Sequence, residues 1–323
     1  MTGPGQGSEA MTAQGPAAVR AGRDRVTVRV PAKVNVRLAV GAPRPDGFHD
    51  LANVFLAVGL YDEITVTPAE ALRITVTGPD AAQVPLDSGN LAARAAALLA
   101  ERHGVADRGV HIHIAKDIPV AGGMAGGSAD GAGALLACDA LWGTGASRAE
   151  LLDICAELGS DVPFSLVGGA ALGVGRGELL TPLEVNGSFH WVFALADGGL
   201  STPAVYRECD RLRADASVPE PQAAPALLAA LRTGDAAALA AAVANDLQPA
   251  AVSLRPSLAD TLHAGTAAGA LAGLVSGSGP TCAFLAQDAA AAERIARALR
   301  DSGTCRTARV AAGPVPGATL LAG

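Results

Sequence analysis

Residues 119–130 form a glycine-rich stretch that constrains this chain more than any other segment. They connect an alternating, strand-like segment (110–114) to an apolar, alanine-rich segment (131–142) typical of a buried helix. Glycines at such a junction let backbone N–H groups approach an anion, and the start of a helix adds favourable partial charge. Four glycines followed by a serine therefore favour a phosphate site. The alternative is a tight connection that needs glycine only for its backbone conformation.

The two common nucleotide-binding motifs do not fit this stretch. A Walker-type loop requires Gly-Lys-Ser/Thr, whereas Gly127 is followed directly by Ser128. The dinucleotide fingerprint requires G-x-G-x-x-G, which the spacing between Gly123 and Gly126 excludes. A triphosphate bound by this stretch would therefore be held by a motif other than these two.

The composition bounds the class of protein. Of 323 residues, 50% are apolar and 17% charged, which suits two ordinary domains with substantial cores. The net charge of −7 argues against nucleic acid as a bulk partner. The five cysteines are scattered, without the spacing of a disulfide framework or a zinc site. Residues 1–22 lack a signal-peptide core and no apolar run suits a membrane span, so we expect a disordered tail on a cytoplasmic protein.

Periodicity predicts mixed secondary structure along the chain. In the first half it predicts strands at 26–30 and 34–40, a hairpin of 62–67 with 72–77, and helices at 90–102 and 148–158. Later segments alternate, with strands predicted at 191–196, 271–275, 281–286 and 306–310 and helices near 223–232, 235–245, 254–268 and 288–300. That pattern predicts helices layered on a sheet, and a change of composition at 168–177 suggests a domain border.

Three local features are ambiguous by themselves. His111 and His113 share one face of a strand, but no third metal ligand is evident, so a solvated face is the favoured interpretation. Asp161 precedes Val162-Pro163, which is typical of a helix N-cap. The cluster Ser276-Gly-Ser-Gly-Pro280 could be an ordinary turn between two strands.

Taken together, three segments resemble the signature motifs of the GHMP kinase superfamily in order and spacing. They are Pro31-Ala-Lys-Val-Asn35, the glycine-rich stretch and Ser276–Pro280. The resemblance covers about residues 23–310. It implies a two-domain α+β fold, with an N-terminal ATP-binding half (23–172) like domain 2 of ribosomal protein S5 and a ferredoxin-like C-terminal half (173–323), the substrates lying in the cleft between them.

Further segments resemble one branch of that superfamily. They are Arg44-Pro-Asp-Gly-Phe-His49, Gly159–Pro163 and Asn245–Pro249. This branch uses ATP to phosphorylate the 2-hydroxyl of a cytidine-diphosphate-linked methylerythritol in non-mevalonate isoprenoid biosynthesis. The alternatives are another GHMP small-molecule kinase, of homoserine or mevalonate type, a non-catalytic nucleotide-binding regulator, and a structural protein with accidental glycine turns.

The resemblance also implies roles for individual residues. Lys33 and Asp161 would be catalytic, with the carboxylate accepting the hydroxyl proton. ATP would be bound by Pro119, Ala121, Gly122, Gly123, Met124, Ala125, Gly126, Gly127 and Ser128. The cytidine-linked substrate would be bound by Asn35, Phe48, His49, Tyr206, Ser276 and Gly277. Mg²⁺ is expected with ATP, with its protein ligands unassigned, and the protein is expected to act as a monomer or homodimer without nucleic acid or membrane partners.

Two residues depart from the usual pattern of the superfamily motifs. Ala125 stands where glycine is common, and Phe48 stands where tyrosine is frequent, which removes a hydroxyl but keeps the ring. Neither change removes a proposed catalytic group. We therefore expect an active enzyme.

Overall fold

The computed structural model describes residues 24–120 and 122–322, and within them the strands form two sheets. The first sheet contains β1 (Val26–Pro43), β2 (His49–Pro68), β3 (Arg73–Thr77), β4 (Val110–Ala115), β5 (Ala170–Val174), β6 (Leu179–Pro182), β8 (Ala244–Asn245) and β12 (Thr319–Leu320). The second contains β7 (Phe189–Leu195), β9 (Ala272–Val275), β10 (Cys282–Ala286) and β11 (Thr307–Gly313). The predicted tail, residues 1–22, lies outside the described residues.

Helices connect and cover the two sheets. In the first half they are α1 (Leu91–Arg102), α2 (Gly126–Trp142), α3 (Arg148–Leu158) and α4 (Val162–Val167). In the second half they are α5 (Thr202–Leu212), α6 (Pro225–Thr233), α7 (Ala236–Ala240), α8 (Gln248–Leu254), α9 (Ser257–Ala267) and α10 (Ala289–Ser302). No helix in the described part of the chain is long and apolar enough to cross a membrane.

The long antiparallel pair β1 and β2 forms the framework of the first sheet. Sequence analysis predicted two strands separated by Pro31-Ala-Lys33, which is wrong because β1 runs through this segment. The register shifts between Pro31 and Ala32 and again between Asn35 and Arg37, as at a β-bulge. Bulges bend a strand and redirect its side chains. Here they flank Lys33 and Asn35, which share one face because they are two residues apart.

The predicted hairpin of residues 62–67 with 72–77 is also wrong. β4 lies between β2 and β3, pairing antiparallel with β2 and parallel with β3. Parallel neighbours need a crossover connection, and α1, capped by the Asn90 side chain, lies between β3 and β4 in the chain. His111 and His113 both lie within hydrogen-bond distance of Thr75 Oγ1, at 2.8 and 2.9 Å. The described residues contain no cluster of three or more potential metal ligands.

The second sheet has the strand order β11-β7-β10-β9 and is antiparallel throughout. Apart from β8, the chain order in this half is β7, the helices α5 to α9, β9, β10, α10 and β11. With α5 to α9 counted as one helical connection, this is the β-α-β-β-α-β order of the ferredoxin-like arrangement. The four predicted strands of this half are confirmed. Two predicted helices need correction, since residues 244–245 form β8 on the first sheet and Pro256 separates α8 from α9.

The two halves meet through ion pairs as well as apolar packing. Arg306 forms two hydrogen bonds with Asp80, at 3.0 and 3.2 Å, and Arg309 forms two with Asp117, at 3.0 and 2.7 Å. Both arginines belong to the second half and both aspartates to loops of the first. Because β5 and β6 join the first sheet, the change of sheet along the chain falls between Pro182 and Phe189. The exact domain border stays a prediction.

Helix α2 lies against β1 and β2 at very short range, and a glycine makes this possible. A Cβ added at Gly133 would lie 2.5 Å from Ile64 Cδ1 and 2.8 Å from Val30 Cγ2. Both neighbours are fully buried. The helix that follows the glycine-rich stretch is thus held against the sheet at a distance that only glycine allows.

We predict that Gly133→Ala lowers the free energy of unfolding by about 1–3 kcal/mol, because inserting a methyl group into a packed core forces side chains and backbone apart. The measurement is urea denaturation without ligands. Gly127→Ala is the matched control on the same helix, since its Cβ would meet only Leu91 Cδ1, at 4.0 Å. Equal stability of the two variants would show that the helix can move away from the sheet at no cost.

Candidate active site

A cleft of about 700 Å³ contains most of the residues that the sequence singled out. Its walls come from β1, the loop before β2, the glycine-rich stretch, α5 and the turn between β9 and β10. Among the predicted site residues, those that line it are Lys33, Asn35, Phe48, His49, Gly122, Gly123, Ala125, Gly126, Gly127, Ser128, Asp161, Tyr206 and Gly277. The predicted arrangement, with the two glycine clusters side by side at the cleft, is confirmed.

Lys33 is buried at the base of this cleft and has several oxygen partners. Its Nζ donates to Asn35 Oδ1 at 2.6 Å and to the carbonyl oxygen of Gly123 at 3.0 Å, and lies 3.5 Å from Asp161 Oδ2. Asn35 in turn donates to Asn53 Oδ1 at 2.8 Å. These contacts fix the ammonium between strand β1, the glycine-rich stretch and the carboxylate of Asp161.

The Asp161 side chain faces the cleft and does not cap helix α4. Asp161 occupies the predicted N-cap position, but its side chain makes no hydrogen bond to the first turn of that helix, so the predicted capping contact is absent. About a third of the Asp161 side chain is exposed, against 5% for Lys33. A partly exposed carboxylate that lines the cleft lies where a substrate hydroxyl can reach it.

The glycines of the glycine-rich stretch differ in how much space surrounds them. Gly123 has φ +73°, and a Cβ there would lie 2.0 Å from the carbonyl oxygen of Ser276. A Cβ at Gly126 would point inward, 2.9 Å from Lys116 Nζ. Gly127 is exposed, with open space around it on the cleft side. Of these three glycines, only Gly127 is placed so that a ligand could approach its backbone closely. Neither Gly126 nor Gly127 has a positive φ.

Helix α2 begins at Gly126, five residues before the apolar segment 131–142 that indicated a buried helix. Its N-cap, Ala125, has φ 60°, a left-handed conformation that is costly for a residue with a side chain. No side chain caps this helix end. The N–H groups of its first turn point toward the cleft end of the helix, where they and the helix dipole favour an anion.

The second glycine cluster contacts the first directly. The Ser276 side chain is fully buried, and its Oγ donates to the carbonyl oxygen of Gly123 at 3.0 Å. Gly277 lines the cleft, and a Cβ there would lie 3.4 Å from Lys33 Nζ. This contact between the halves closes one side of the cleft.

Phe48, His49 and Tyr206 form an aromatic region at the other side of the cleft. His49 and Tyr206 have ring centroids 4.9 Å apart, and Arg176 lies 5.1 Å from the centre of the exposed Phe48 ring. Burial, with a smaller contribution from the charge of Asp161, raises the pKa of the Tyr206 phenol. Tyr206 is therefore neutral and offers its ring face and hydroxyl to the cleft.

Three predicted site residues do not line the cleft. Pro119, Met124 and Ser276 are buried beside it, and Met124 contributes its carbonyl oxygen, which accepts from the Lys33 backbone N–H at 3.3 Å. The side chains of Pro119 and Met124 are thus placed to support the glycine-rich stretch. Ala121 lies outside the described residues.

Sequence reasoning missed several polar residues around the cleft. Asp210 Oδ1 lies 2.8 Å from His49 Nε2, within hydrogen-bond distance, and Asn53 Oδ1 accepts a hydrogen bond from Asn35. Asn245 donates to the carbonyl oxygens of Val275 and Gly277, both at 2.7 Å. Asp210 lies four residues after Tyr206, one helical turn away, a spacing that could have suggested it. Nothing in the local sequence pointed to Asn53.

Comparisons with known proteins agree with this geometry. Family models for the N-terminal and C-terminal domains of GHMP kinases match residues 90–169 and 227–305. The chain is 77% identical to the 4-diphosphocytidyl-2-C-methyl-D-erythritol kinase of Streptomyces avermitilis, over 92% of this chain and 99% of that protein. The chain belongs to this kinase family. The protein of the same name from Thermobifida fusca is 64% identical, over 92% of this chain and 98% of its own length.

Solved structures support the same family and fold. A crystal structure of 4-(cytidine 5'-diphospho)-2C-methyl-D-erythritol kinase superposes with a TM-score of 0.72 at 33% identity, covering 92% of this chain and all of that one. Homoserine kinase from Cytophaga hutchinsonii has the same TM-score at 20% identity, covering 95% of this chain, which shows a shared fold. The protein is therefore an ATP-using small-molecule kinase of GHMP architecture.

We predict that Gly127→Val weakens ATP binding without unfolding the protein. The exposed position leaves room for the side chain within the fold, while its branched methyl groups would occupy the space over the helix N-terminus. The measurement is the dissociation constant for ATP by isothermal titration calorimetry, with circular dichroism as the folding control. An unchanged dissociation constant in the folded variant would mean that phosphate lies elsewhere in the cleft.

Proposed function

We propose that this kinase transfers the γ-phosphoryl group of ATP to the 2-hydroxyl of 4-diphosphocytidyl-2-C-methyl-D-erythritol, a step of non-mevalonate isoprenoid biosynthesis. The observation that carries the proposal is the position of Lys33, whose ammonium contacts both the glycine-rich stretch and Asp161. ATP bound at the glycine-rich stretch would therefore lie close to Asp161, the proposed proton acceptor. The high identity to kinases of that name supports the choice of substrate.

The roles proposed for Asp161 and Lys33 are to accept a proton and to stabilise charge. Phosphoryl transfer depends mainly on positioning and on stabilising charge, since the protein itself forms no bond to the phosphoryl group. Asp161 would accept the proton of the attacking hydroxyl, and the Lys33 ammonium would stabilise the charge that develops on the transferred group. The buried contacts of Lys33 with Asn35 and Gly123 hold it in place for this role.

We assign the phosphates of ATP to the N-terminal end of α2. Gly127 and Ser128 line the cleft there, and the uncapped N–H groups of the first turn are available as donors. Mg²⁺ bound with ATP would neutralise charge on the phosphates. The Ser128 hydroxyl, which lines the cleft at the start of α2, would be a protein oxygen donor for it, since Mg²⁺ on a nucleotide needs only one or two protein ligands.

We assign the cytidine group to the aromatic region. Phe48 and Tyr206 offer ring faces for stacking, and His49 offers hydrogen-bonding positions for the base. Asn35 lines the cleft and accepts from Lys33 Nζ at 2.6 Å, so the acceptor alcohol would pass close to it on the way to Asp161. The likeness to homoserine kinase concerns the fold alone, so it does not favour an amino-acid substrate.

Three further proposals concern the whole chain. We propose an N-terminal and a C-terminal unit with the border between β6 and β7, since the expected border at residues 172 and 173 lies inside β5 of the first sheet; limited proteolysis would test this. We place the reaction in the cytoplasm, because the phosphorylated substrates are too charged to cross a membrane unaided. We expect a monomer or homodimer, which light scattering would determine.

The direct test of the function is an ATP-consumption assay with a panel of alcohols. We expect turnover with the cytidine-diphosphate-linked methylerythritol, and none with homoserine, mevalonate or methylerythritol lacking the cytidine group. Turnover of homoserine or mevalonate instead would support the alternative GHMP activities. A protein that binds ATP but phosphorylates none of these alcohols would support the regulator hypothesis.

We predict that Phe48→Ala and His49→Ala raise KM for the cytidine-linked substrate and leave KM for ATP unchanged. Losing a stacked base costs about 1–3 kcal/mol, by analogy with aromatic stacking on single-stranded nucleic acids. Leu179→Ala is a control for removing an exposed apolar side chain outside the cleft lining. If the two variants changed KM for ATP alone, the aromatic region would belong to the nucleotide donor.

We predict that Asp161→Asn binds both substrates, stays folded and loses most of its turnover. The amide keeps the shape of the side chain but cannot accept the proton, and general-base catalysis contributes about 10²–10⁴-fold. Lys33→Ala should also slow transfer, and the double variant should lose less than the product of the two effects, because residues that act as a unit are non-additive. The measurement is single-turnover transfer with both substrates bound. A near-normal rate in Asp161→Asn would falsify the assignment of the base.

A further inference from the structure

A buried cluster of three ionisable groups lies behind the glycine-rich stretch, outside the cleft. Lys116 Nζ donates to Asp62 Oδ2 at 2.5 Å and to Asp130 Oδ2 at 2.9 Å. The side chains of all three residues are at most 3% exposed. Burying charges is costly, so such a cluster is retained at the expense of apolar packing. Neither Lys116 nor the two aspartates line the cleft, so none can touch a substrate directly.

The cluster is attached to the residues that lead into the glycine-rich stretch. Asp62 Oδ1 accepts from the backbone N–H groups of Asp117 and Ile118, at 2.7 and 2.8 Å. Lys116 itself immediately precedes them, and its backbone N–H donates to the carbonyl oxygen of Thr77 at 2.8 Å. The point where the chain leaves β4 is therefore fixed by a side chain of β2.

The same cluster is attached to the helix that follows the stretch. Asp130 lies in the second turn of α2, and its contact with Lys116 ties that turn to β4 and β2. The ammonium also lies directly beneath the start of the helix, where a Cβ added at Gly126 would come within 2.9 Å of Nζ. Lys116 thus connects the beginning of the glycine-rich stretch with its end.

Burial and charge describe the state of the cluster. Burial raises the pKa of Asp130 to about 8, Lys116 opposes this shift, and Asp62 adds to it. Burial acts to lower the pKa of Lys116, but the charges of Asp130 and Asp62 outweigh it, so that the pKa of Lys116 is raised. The ammonium is therefore charged throughout the physiological range. Asp130 Oδ1 has no hydrogen-bond partner within the described residues, so its link to Lys116 rests on the other oxygen alone.

We propose that Lys116 is a positioning residue for phosphoryl transfer. Through its contacts with Asp62 and Asp130, it sets the distance between the two ends of the glycine-rich stretch. That distance determines the shape of the backbone that receives the phosphates of ATP. This inference rests on the proposed function in one respect, that ATP is bound by this stretch. In the middle of the stretch, the side chains of Lys33 and Ser276 both donate to one carbonyl oxygen, that of Gly123. Those contacts fix its middle, and Lys116 fixes its ends.

The test compares ATP binding by variants that break the link with a variant that keeps it. Lys116→Met removes the ammonium with little change in length, and Asp130→Ala removes its partner on α2. Both should raise the dissociation constant and KM for ATP about 10- to 100-fold, a loss typical of misplacing a binding group by about 1 Å. KM for the acceptor alcohol should not change. Asp130→Asn should restore most of the ATP affinity lost in Asp130→Ala, because its amide oxygen can still accept from Lys116.

Arg29→Met is the control for losing an ion pair on the same sheet. Arg29 pairs with Glu63, the neighbour of Asp62, and both side chains are exposed, so ATP affinity should be unchanged. Melting temperatures accompany each measurement. Normal ATP affinity in the folded Asp130→Ala variant, with only a lower melting temperature, would overturn the proposal and leave the cluster a structural element. Should Lys116→Met not fold, the Asp130→Ala and Asp130→Asn pair decides alone.

ATP binding without acceptor keeps this inference separate from the proposed function. A wild-type protein that binds ATP but does not phosphorylate the cytidine-linked alcohol would contradict the proposed substrate, and the variants would still decide the role of Lys116. A change in KM for the acceptor together with normal ATP affinity would also overturn the role given to Lys116.

Discussion

The ammonium of Lys33 is the contact on which the site depends. It connects three parts of the chain that are far apart in sequence, namely strand β1, the glycine-rich stretch and the residue that precedes α4. A buried ammonium requires oxygen partners on several sides, because an unpaired charge in the interior is very costly. The carbonyl oxygen of Gly123 and the side chain of Asn35 meet that requirement, and Asp161 supplies the opposite charge at the boundary with solvent.

Close approach of backbones brings these parts together. Gly123 lies so near the carbonyl oxygen of Ser276 that any side chain would collide, and Gly133 allows α2 to lie directly on the first sheet. The first contact joins the two halves of the protein at the cleft, and the second sets the height of the helix whose N-terminal end faces it. Substitutions at these positions would therefore affect the geometry of the site through packing alone.

Two buried lysines serve the glycine-rich stretch in different ways. Lys33 reaches it from the cleft side and also faces the cleft, whereas Lys116 lies behind it and is paired with the buried side chains of Asp62 and Asp130. They are the only lysines of the chain. Elsewhere on this protein arginine provides the positive charge, as in the paired contacts of Arg306 and Arg309 between the halves. A compact ammonium fits between several oxygens in a confined space better than a planar guanidinium does.

The sequence by itself determined the family, the secondary structure of most segments and a set of candidate site residues, because the order and spacing of motifs can be read without knowledge of contacts. It predicted that Lys33, Asp161 and the two glycine clusters belong together, and the structure brings them together. It could not predict that Asp161 leaves α4 uncapped, that β4 separates β2 from β3, or that Asn53 and Asp210 support the site. Those features depend on strand order and on side chains from distant segments, and strand order is decided by which buried faces pack together. For the same reason, only the tertiary structure showed that the Cβ missing from Gly126 makes room for Lys116.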